Sequence, residues 1–544
     1  MSSQRAAADN RRDWAALVAV AVSTALGIVA TWWYWSHNLL LAYGDTMAHL
    51  NIARRILDSR TPGMAMFGTN WLPVPHVLMQ PFIYVDYLWT SGLAASIVGL
   101  ACFVVSATTL FLSVRLLTGQ ETAAWLAFVV FVTNPNMLYV QSTALLEPFI
   151  IMPITAAVYF LLKWSLNDTL LDLILAGFLT VVAVGSRYDG WFFAACAAAV
   201  VWLIVFLRSR GFLRAQSLTL NYVTLPVGAM ISWVLYNWLI FKDPLEFQRG
   251  EWSSQTHQLG VAAGNRLVTK HDLPLSILSY TWSVIDNVGW IPVTLALAGL
   301  LIYVISTRFD TKSLVPYLLF AAYPFHIISL WLGQTSVIVD QVIPGYFNVR
   351  YGLLLLPGLA FFTGYLYFRL SSTVRTHIVL AVLCVPVLVQ AVWWIPGWPL
   401  SVVCLNNDEG MSPPNVSGAS AFLKEHYDGG GILIDDTEMG ALITTTGIPM
   451  REYIGYFSGT ELEDALLSPE ENVRWVVMRP YSSYFEDERY SCGYRCIDSV
   501  RGERTFKADA IALSLDHRPD FGENYALAYE DHGIQIYKKT QRWR

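Results

Sequence analysis

The sequence predicts a polytopic α-helical membrane protein of about eleven spans, followed by a soluble C-terminal α/β domain. Three observations carry this expectation. Apolar runs long enough to cross a bilayer recur between residues 14 and 395. Only 14% of the 544 residues are charged and 55% are apolar, where a soluble domain carries about 25% charged residues. The charge also changes sign near residue 400. Residues 401–544 hold 14 Lys and Arg against 24 Asp and Glu, a net of −10, and residues 1–400 carry a net of +4. The expected division is therefore a membrane part, 1–399, and an acidic soluble part, 400–544. A mean hydropathy of +0.44 excludes a disordered chain and a solenoid of charged helices. The acidic balance excludes a basic nucleic-acid binder, so membrane lipids are expected partners and nucleic acid is not.

The first apolar run, 14–35, follows Arg5, Arg11 and Arg12. It is too long for a signal-peptide core and has no small-residue cleavage site, so it reads as a retained anchor with a cytoplasmic N-terminus. Trp32, Trp33, Tyr34 and Trp35 close it as an interfacial aromatic belt. Further spans are expected at 92–117, 121–138, 147–165, 168–186, 189–208, 217–240, 285–306, 313–333, 348–371 and 377–395. With the N-terminus inside, the short cytoplasmic loops collect Arg115, Lys163, Arg208, Arg210, Arg214, Arg308, Lys312, Arg369 and Arg375, as the positive-inside rule requires. The outer side, of a cell (plasma or inner) membrane, then receives loops 36–80 and 241–284 and the C-terminal domain. Cys492 and Cys496 in SCGYRC could pair there if the compartment is oxidising. Cys102, Cys196 and Cys384 lie in apolar runs and read as small core residues. In the tail, GILIDD (431–436), VRWVVM (473–478) and IQIYKK (534–539) read as strands, and SGASAFLKEHY (417–427) as a helix.

Ionisable groups at a membrane boundary are costly unless they face water or a partner, which makes those on the outer side candidate functional groups. In YGDTMAHLNIARRILDS (43–59), the apolar spacing predicts an amphipathic helix lying in the interface. Asp45 starts it and suits either an N-cap or a reactive carboxylate; His49 follows one turn later on the same face. Glu147, in STALLEPFIIMP, opens a span beside Pro148, where the helix dipole favours an acid. Arg187 and Asp189, in GSRYDGWFF, are placed to neutralise each other in a tight turn. Arg350, in PGYFNVRYGLLLLPG, suits either a phosphate or snorkelling to the interface. Loop 241–284 adds Arg249, His257, Arg266, Lys270 and His271, read mainly as solvated. Asp435, Asp436 and Glu438 end a strand-like run and read as a turn.

These residues and their order resemble the GT-C superfamily of integral membrane glycosyltransferases. The nearest groups are the protein O-mannosyltransferases and the aminoarabinose (lipid A) transferases. The resemblance covers about residues 14–395. It rests on Asp45 within GDTMAHLNIARRI, the stretch GTNWLPVPHVLMQPF (68–82), Glu147 within LLEPF, and Arg350 within NVRYGLLLLPG. One departure is that Thr46 follows Asp45, where the mannosyltransferases show an adjacent Asp-Glu pair.

The resemblance implies a GT-C-like fold and transfer of a sugar from a polyprenyl-phosphate donor to a protein, lipid or glycan acceptor, in one inverting displacement. It casts Asp45 as base, Glu147 as second carboxylate, and Arg350, with Arg187 and Lys270 behind it, as holders of the donor phosphate. Asp45, Glu147 and His49 could accept Mg²⁺, Mn²⁺ or Zn²⁺; no cofactor is certain, since metal-free and metal-using branches both exist. The alternative from another class is a transporter or flippase of lipid-linked substrates. Such proteins usually carry an internal two-fold repeat, which the sequence lacks.

Overall fold

A computed structural model describes residues 2–250, 253–263, 267–394, 413–437, 439–479, 509–531 and 533–540. Cys492, Cys496, Arg266 and Glu438 lie outside the described residues. The chain forms two compact units. The first comprises residues 1–34, 69–75 and 96–406, and the second 35–68, 76–95 and 407–544.

The first unit is helical. Among the described residues, seven helices are long and apolar enough to cross a membrane, and the chain is a multi-pass membrane protein. They are Trp14–Ser36, Leu93–Thr118, Glu147–Asn167, Asp189–Ser209, Phe212–Phe241, Trp290–Thr307 and Val349–Leu370. Four further apolar helices are shorter: Glu121–Val132, Leu170–Val184, Val315–Trp331 and Thr376–Val392. All eleven expected runs are therefore helical, but four fall short of a full crossing. Local signals set where individual helices begin and end. Asn134 caps a new helix, Pro135–Val140, by accepting the Met137 N–H at 2.9 Å, so the run expected to reach 138 ends at Val132. Gly289, at φ +90°, separates Leu273–Val288 from Trp290–Thr307, so the expected start at 285 moves to 290. The expected outer loop 241–284 contains the helices Glu246–Arg249 and Ser254–Ala263 and most of Leu273–Val288. Within the membrane unit, small residues let backbones approach. A Cβ on Gly299 would overlap the Phe362 carbonyl, and one on Gly364 would sit 2.6 Å from the Ala123 carbonyl oxygen.

The second unit contains a five-stranded sheet: β1 (Ile432–Leu433), β2 (Tyr453–Ile454), β3 (Trp475–Met478), β4 (Tyr525–Asp531) and β5 (Ile534–Lys539). The order is β2-β1-β3-β5-β4. β1 pairs in parallel with β2 and β3, and β5 runs antiparallel to β3 and β4. The three strands read from sequence are β1, β3 and β5, and the expected helix is Pro413–His426. All four residues of β3 are buried, which is why VRWVVM reads as a nearly unbroken apolar run.

The helix Gly44–Arg55 differs from expectation. It was expected to lie amphipathically in the membrane interface, yet nine of its 12 residues are buried. Its polar groups bind protein instead. Asn51 donates to the Gly440 carbonyl at 2.9 Å and accepts from the Thr444 hydroxyl at 2.8 Å and the Trp89 indole at 3.2 Å. Arg54 donates to Asp58 and Asp86, each at 2.7 Å, and to the Ile83 carbonyl at 3.0 Å. Residues 35–68 and 76–95 thus group with the C-terminal residues, where the sequence division had assigned them to the membrane part.

Candidate active site

A charged cluster forms in the membrane unit where several helices begin. Glu147 is the first residue of Glu147–Asn167 and is fully buried. Its Oε1 accepts from Arg187 Nη1 at 3.2 Å and from Arg350 Nε at 3.1 Å. Arg187 follows Leu170–Val184, and its Nε donates to Asp189 Oδ2 at 3.0 Å. Asp189 opens Asp189–Ser209. Two guanidiniums and two carboxylates therefore balance in charge. That balance is what permits burial, since an isolated buried ion would cost several kcal/mol, on the order of 3–5 when a pair is broken. The carboxylates also sit in the first turns of their helices, where the dipole favours negative charge.

Arg350 is held in place by a short 3₁₀ segment, Val349–Leu355, that lies against Leu273–Val288. Three side chains of that helix bind the segment's carbonyls. Ser283 and Asn287 donate to Val349 O at 2.7 and 2.6 Å, and Tyr280 donates to Tyr351 O at 3.0 Å. Gly352 allows the contact, because a Cβ there would overlap the Ser283 carbonyl. Tyr351 faces both cations, with Arg187 4.7 Å and Arg350 5.2 Å from its ring centroid. His326 completes the cluster: its ring stacks between Tyr280 and Tyr351 at 4.8 and 5.1 Å, and its Nε2 lies 3.7 Å from Asp189 Oδ2.

The structure therefore brings Glu147, Arg187 and Arg350 together. The reading of Arg187 and Asp189 as mutually neutralising describes only half of the contact, since Arg187 also serves Glu147. Lys270 stands apart from these contacts, exposed in the turn before Leu273–Val288, with its stem against Gly333. Asp45 and His49 belong to the second unit. Asp45 is the second residue of Gly44–Arg55, while Tyr43 holds the N-cap position. His49 is buried, and its Nδ1 lies 3.1 Å from His76 Nε2. The sequence reading missed His326, Tyr280 and Tyr351. The available signal was a titratable residue inside an apolar run, AAYPFHIISLW.

Oε1 of Glu147 accepts from two cationic groups, and its Oε2 has no hydrogen-bond partner. Among the described residues, no three His, Cys, Asp or Glu side chains gather where they could hold a metal ion.

Two carboxylates of the C-terminal domain have shifted acidities. Asp509 is fully buried at the N-cap of Ala510–Leu515. Burial pushes it up to about 7 against the pull of the Arg479 N–H it accepts, and the charge of Asp435 adds to the rise. Burial likewise raises Asp436 to about 6, although it accepts the Tyr456 N–H at 2.8 Å.

No protein-family model matches the sequence, and no curated protein matches it. Solved structures do. ArnT from Cupriavidus metallidurans bound to undecaprenyl phosphate is 12% identical, with a TM-score of 0.57 over 95% of this chain and 97% of that one. The same protein in the apo state gives a TM-score of 0.53 at 12% identity over the same shares. The archaeal oligosaccharyltransferase AglB from Archaeoglobus fulgidus, in complex with an inhibitory peptide and a dolichol-phosphate, gives 0.49 at 11% identity over 97% of this chain and 75% of that one. The chain shares the overall fold of ArnT.

Proposed function

We propose that this chain is a glycosyltransferase that moves a sugar from a polyprenyl-phosphate donor to an acceptor on the non-cytoplasmic side of a cell membrane. The observation that carries this reading is the convergence of Arg187 and Arg350 on the buried carboxylate of Glu147. The two guanidiniums are preorganised at the start of membrane helices, and Arg187 keeps 12% of its side chain exposed. Arginine is suited to phosphate because its planar fork gives two hydrogen bonds. The fold adds support, since the ArnT structure that shares it is bound to undecaprenyl phosphate.

The chemistry follows from the groups present. An acceptor oxygen or nitrogen attacks the anomeric carbon. The bond from that carbon to the phosphate oxygen breaks, and polyprenyl phosphate leaves with the electron pair. The two arginines offset the charge that develops on the phosphate. The leaving group is good enough to need no general acid. Asp45, at the start of Gly44–Arg55, is the proposed base for the acceptor proton. Glu147 acts by holding the two guanidiniums in place. The acceptor is a protein, lipid or glycan.

The test is release of free polyprenyl phosphate from a polyprenyl-phosphate-linked sugar by the full chain in lipid nanodiscs. It reads the reaction whatever the acceptor. Asp45→Asn should abolish release with folding intact, and Arg350→Ala should weaken donor use most. Full release by Asp45→Asn would remove Asp45 as base. Movement of an uncleaved donor across the membrane would favour a flippase instead.

A further inference from the structure

We infer that His326 makes binding of an anionic ligand at the Arg187–Arg350 cluster proton-linked, so that the phosphate binds together with one proton taken up at this histidine. The inference rests on the proposed lipid-phosphate ligand and adds a residue and a coupling that the reading does not contain.

Four features of the geometry lead there. First, His326 is buried, with 2% of its surface exposed, and neither ring nitrogen has a hydrogen-bond partner. A buried polar atom without a partner calls for an explanation. Second, its Nε2 faces Asp189 Oδ2 at 3.7 Å, the same oxygen that accepts from Arg187 Nε at 3.0 Å. A protonated His326 would contract onto that oxygen and compete with Arg187 for it. Third, the ring lies between the faces of Tyr280 and Tyr351, which favour a cation over a neutral ring. Fourth, Glu147 Oε2 is buried with no hydrogen-bond partner, although Oε1 of the same carboxylate serves both arginines. The cluster therefore has spare acceptor capacity that a displaced guanidinium N–H could use.

The charge count gives the direction. With His326 neutral, Arg187 and Arg350 balance Glu147 and Asp189, and the cluster has no net charge to offer a phosphate. Protonation of His326 makes it net cationic and loosens the hold of Asp189 on Arg187. The groups facing His326 are Asp189, which favours the proton, and the tyrosine rings of Tyr280 and Tyr351. Arg187 and, across Tyr351, Arg350 oppose the proton, as does burial itself. An incoming anion neutralises the opposing cations, and that is the physical origin of the linkage. By reciprocity, a ligand that tightens proton binding is itself bound more tightly when the proton is present. Histidine is the side chain suited to this, because its charge changes between about pH 5 and 8.

The experiment is titration calorimetry of undecaprenyl phosphate into the full chain in detergent, in buffers of different ionisation enthalpy, comparing the wild type with His326→Phe. Phenylalanine keeps the stack between the two tyrosines but cannot titrate. The phosphate's own titration is common to both proteins and cancels in the difference. The wild type should take up close to one proton more than the variant at neutral pH. Its affinity should fall with rising pH by up to about tenfold per pH unit more steeply than that of the variant. His326→Gln, which keeps a polar group of similar reach, should behave as His326→Phe does and serves if the latter does not fold. Equal proton uptake in wild type and variant would overturn the linkage while leaving the proposed ligand standing. Absence of binding by the wild type at every pH would overturn the ligand assignment and the linkage together.

Discussion

At the residue scale, the decisive feature is that one oxygen of Glu147 serves two arginines. Breaking such a buried pair costs about 3–5 kcal/mol, because the remaining charge keeps its desolvation cost without its partner. Glu147→Gln should therefore lower the melting temperature clearly, and Arg350→Met should do the same. The double variant should be less destabilised than the sum of the two, with a coupling energy of roughly 1–3 kcal/mol in a thermal or denaturant double-mutant cycle. Strict additivity would mean that the contact between Glu147 and Arg350 contributes nothing. His49 shows the complementary case. Its Nδ1 faces His76 Nε2 at 3.1 Å, a contact that a spacing of 27 residues does not announce.

At the element scale, the 3₁₀ segment Val349–Leu355 sets where Arg350 and Tyr351 point. It stays in register because Tyr280, Ser283 and Asn287 bind carbonyls that the segment's own geometry leaves available. Gly352→Val should push the segment away from Leu273–Val288. The expected loss is about 1–3 kcal/mol of stability, as for other overpacked contacts, together with weaker binding of undecaprenyl phosphate in the same calorimetric assay. Gly228→Ala is the control: an added Cβ there meets nothing within 4 Å, so binding should be unchanged. Equal effects from the two substitutions would show that the segment's position does not govern ligand binding. The shortened runs teach the same lesson at this scale. A hydropathy window reports how apolar a stretch is, but a cap at Asn134 or a glycine at 289 decides where the helix stops.

At the scale of the whole molecule, the C-terminal domain should show an unusual response to pH. Asp509 titrates at about 7 and Asp436 at about 6 in the folded state, both above the ordinary carboxylate value of 3.8. The folded state thus holds these protons more tightly than the unfolded chain does. Each group's contribution to stability is fully present below about pH 4 and is lost as pH rises through its folded value. Asp509→Asn cannot titrate there. Relative to the wild type, the variant should gain stability as pH rises from about 4 to 7, read by calorimetric melting of the full chain. A wild-type-minus-variant difference that stays flat with pH would refute the assignment of a raised acidity constant to Asp509.

Much of this protein was legible in one dimension. The approximate positions of the eleven apolar helices, strands β1, β3 and β5, and the choice of Glu147, Arg187 and Arg350 as candidate residues all follow from hydropathy and from where charge is tolerated. These are local properties, because the cost of placing an ion beside hydrocarbon depends on the residue and its immediate run. Tertiary structure alone decided the rest: that Glu147 meets arginines 40 and 203 positions away, that His326 shares Asp189 with one of them, and that helix Gly44–Arg55 is buried against residues near 440. Ion pairing, ring stacking and burial are set by distance in space, and a chain this long can satisfy the same local preferences through many different long-range pairings.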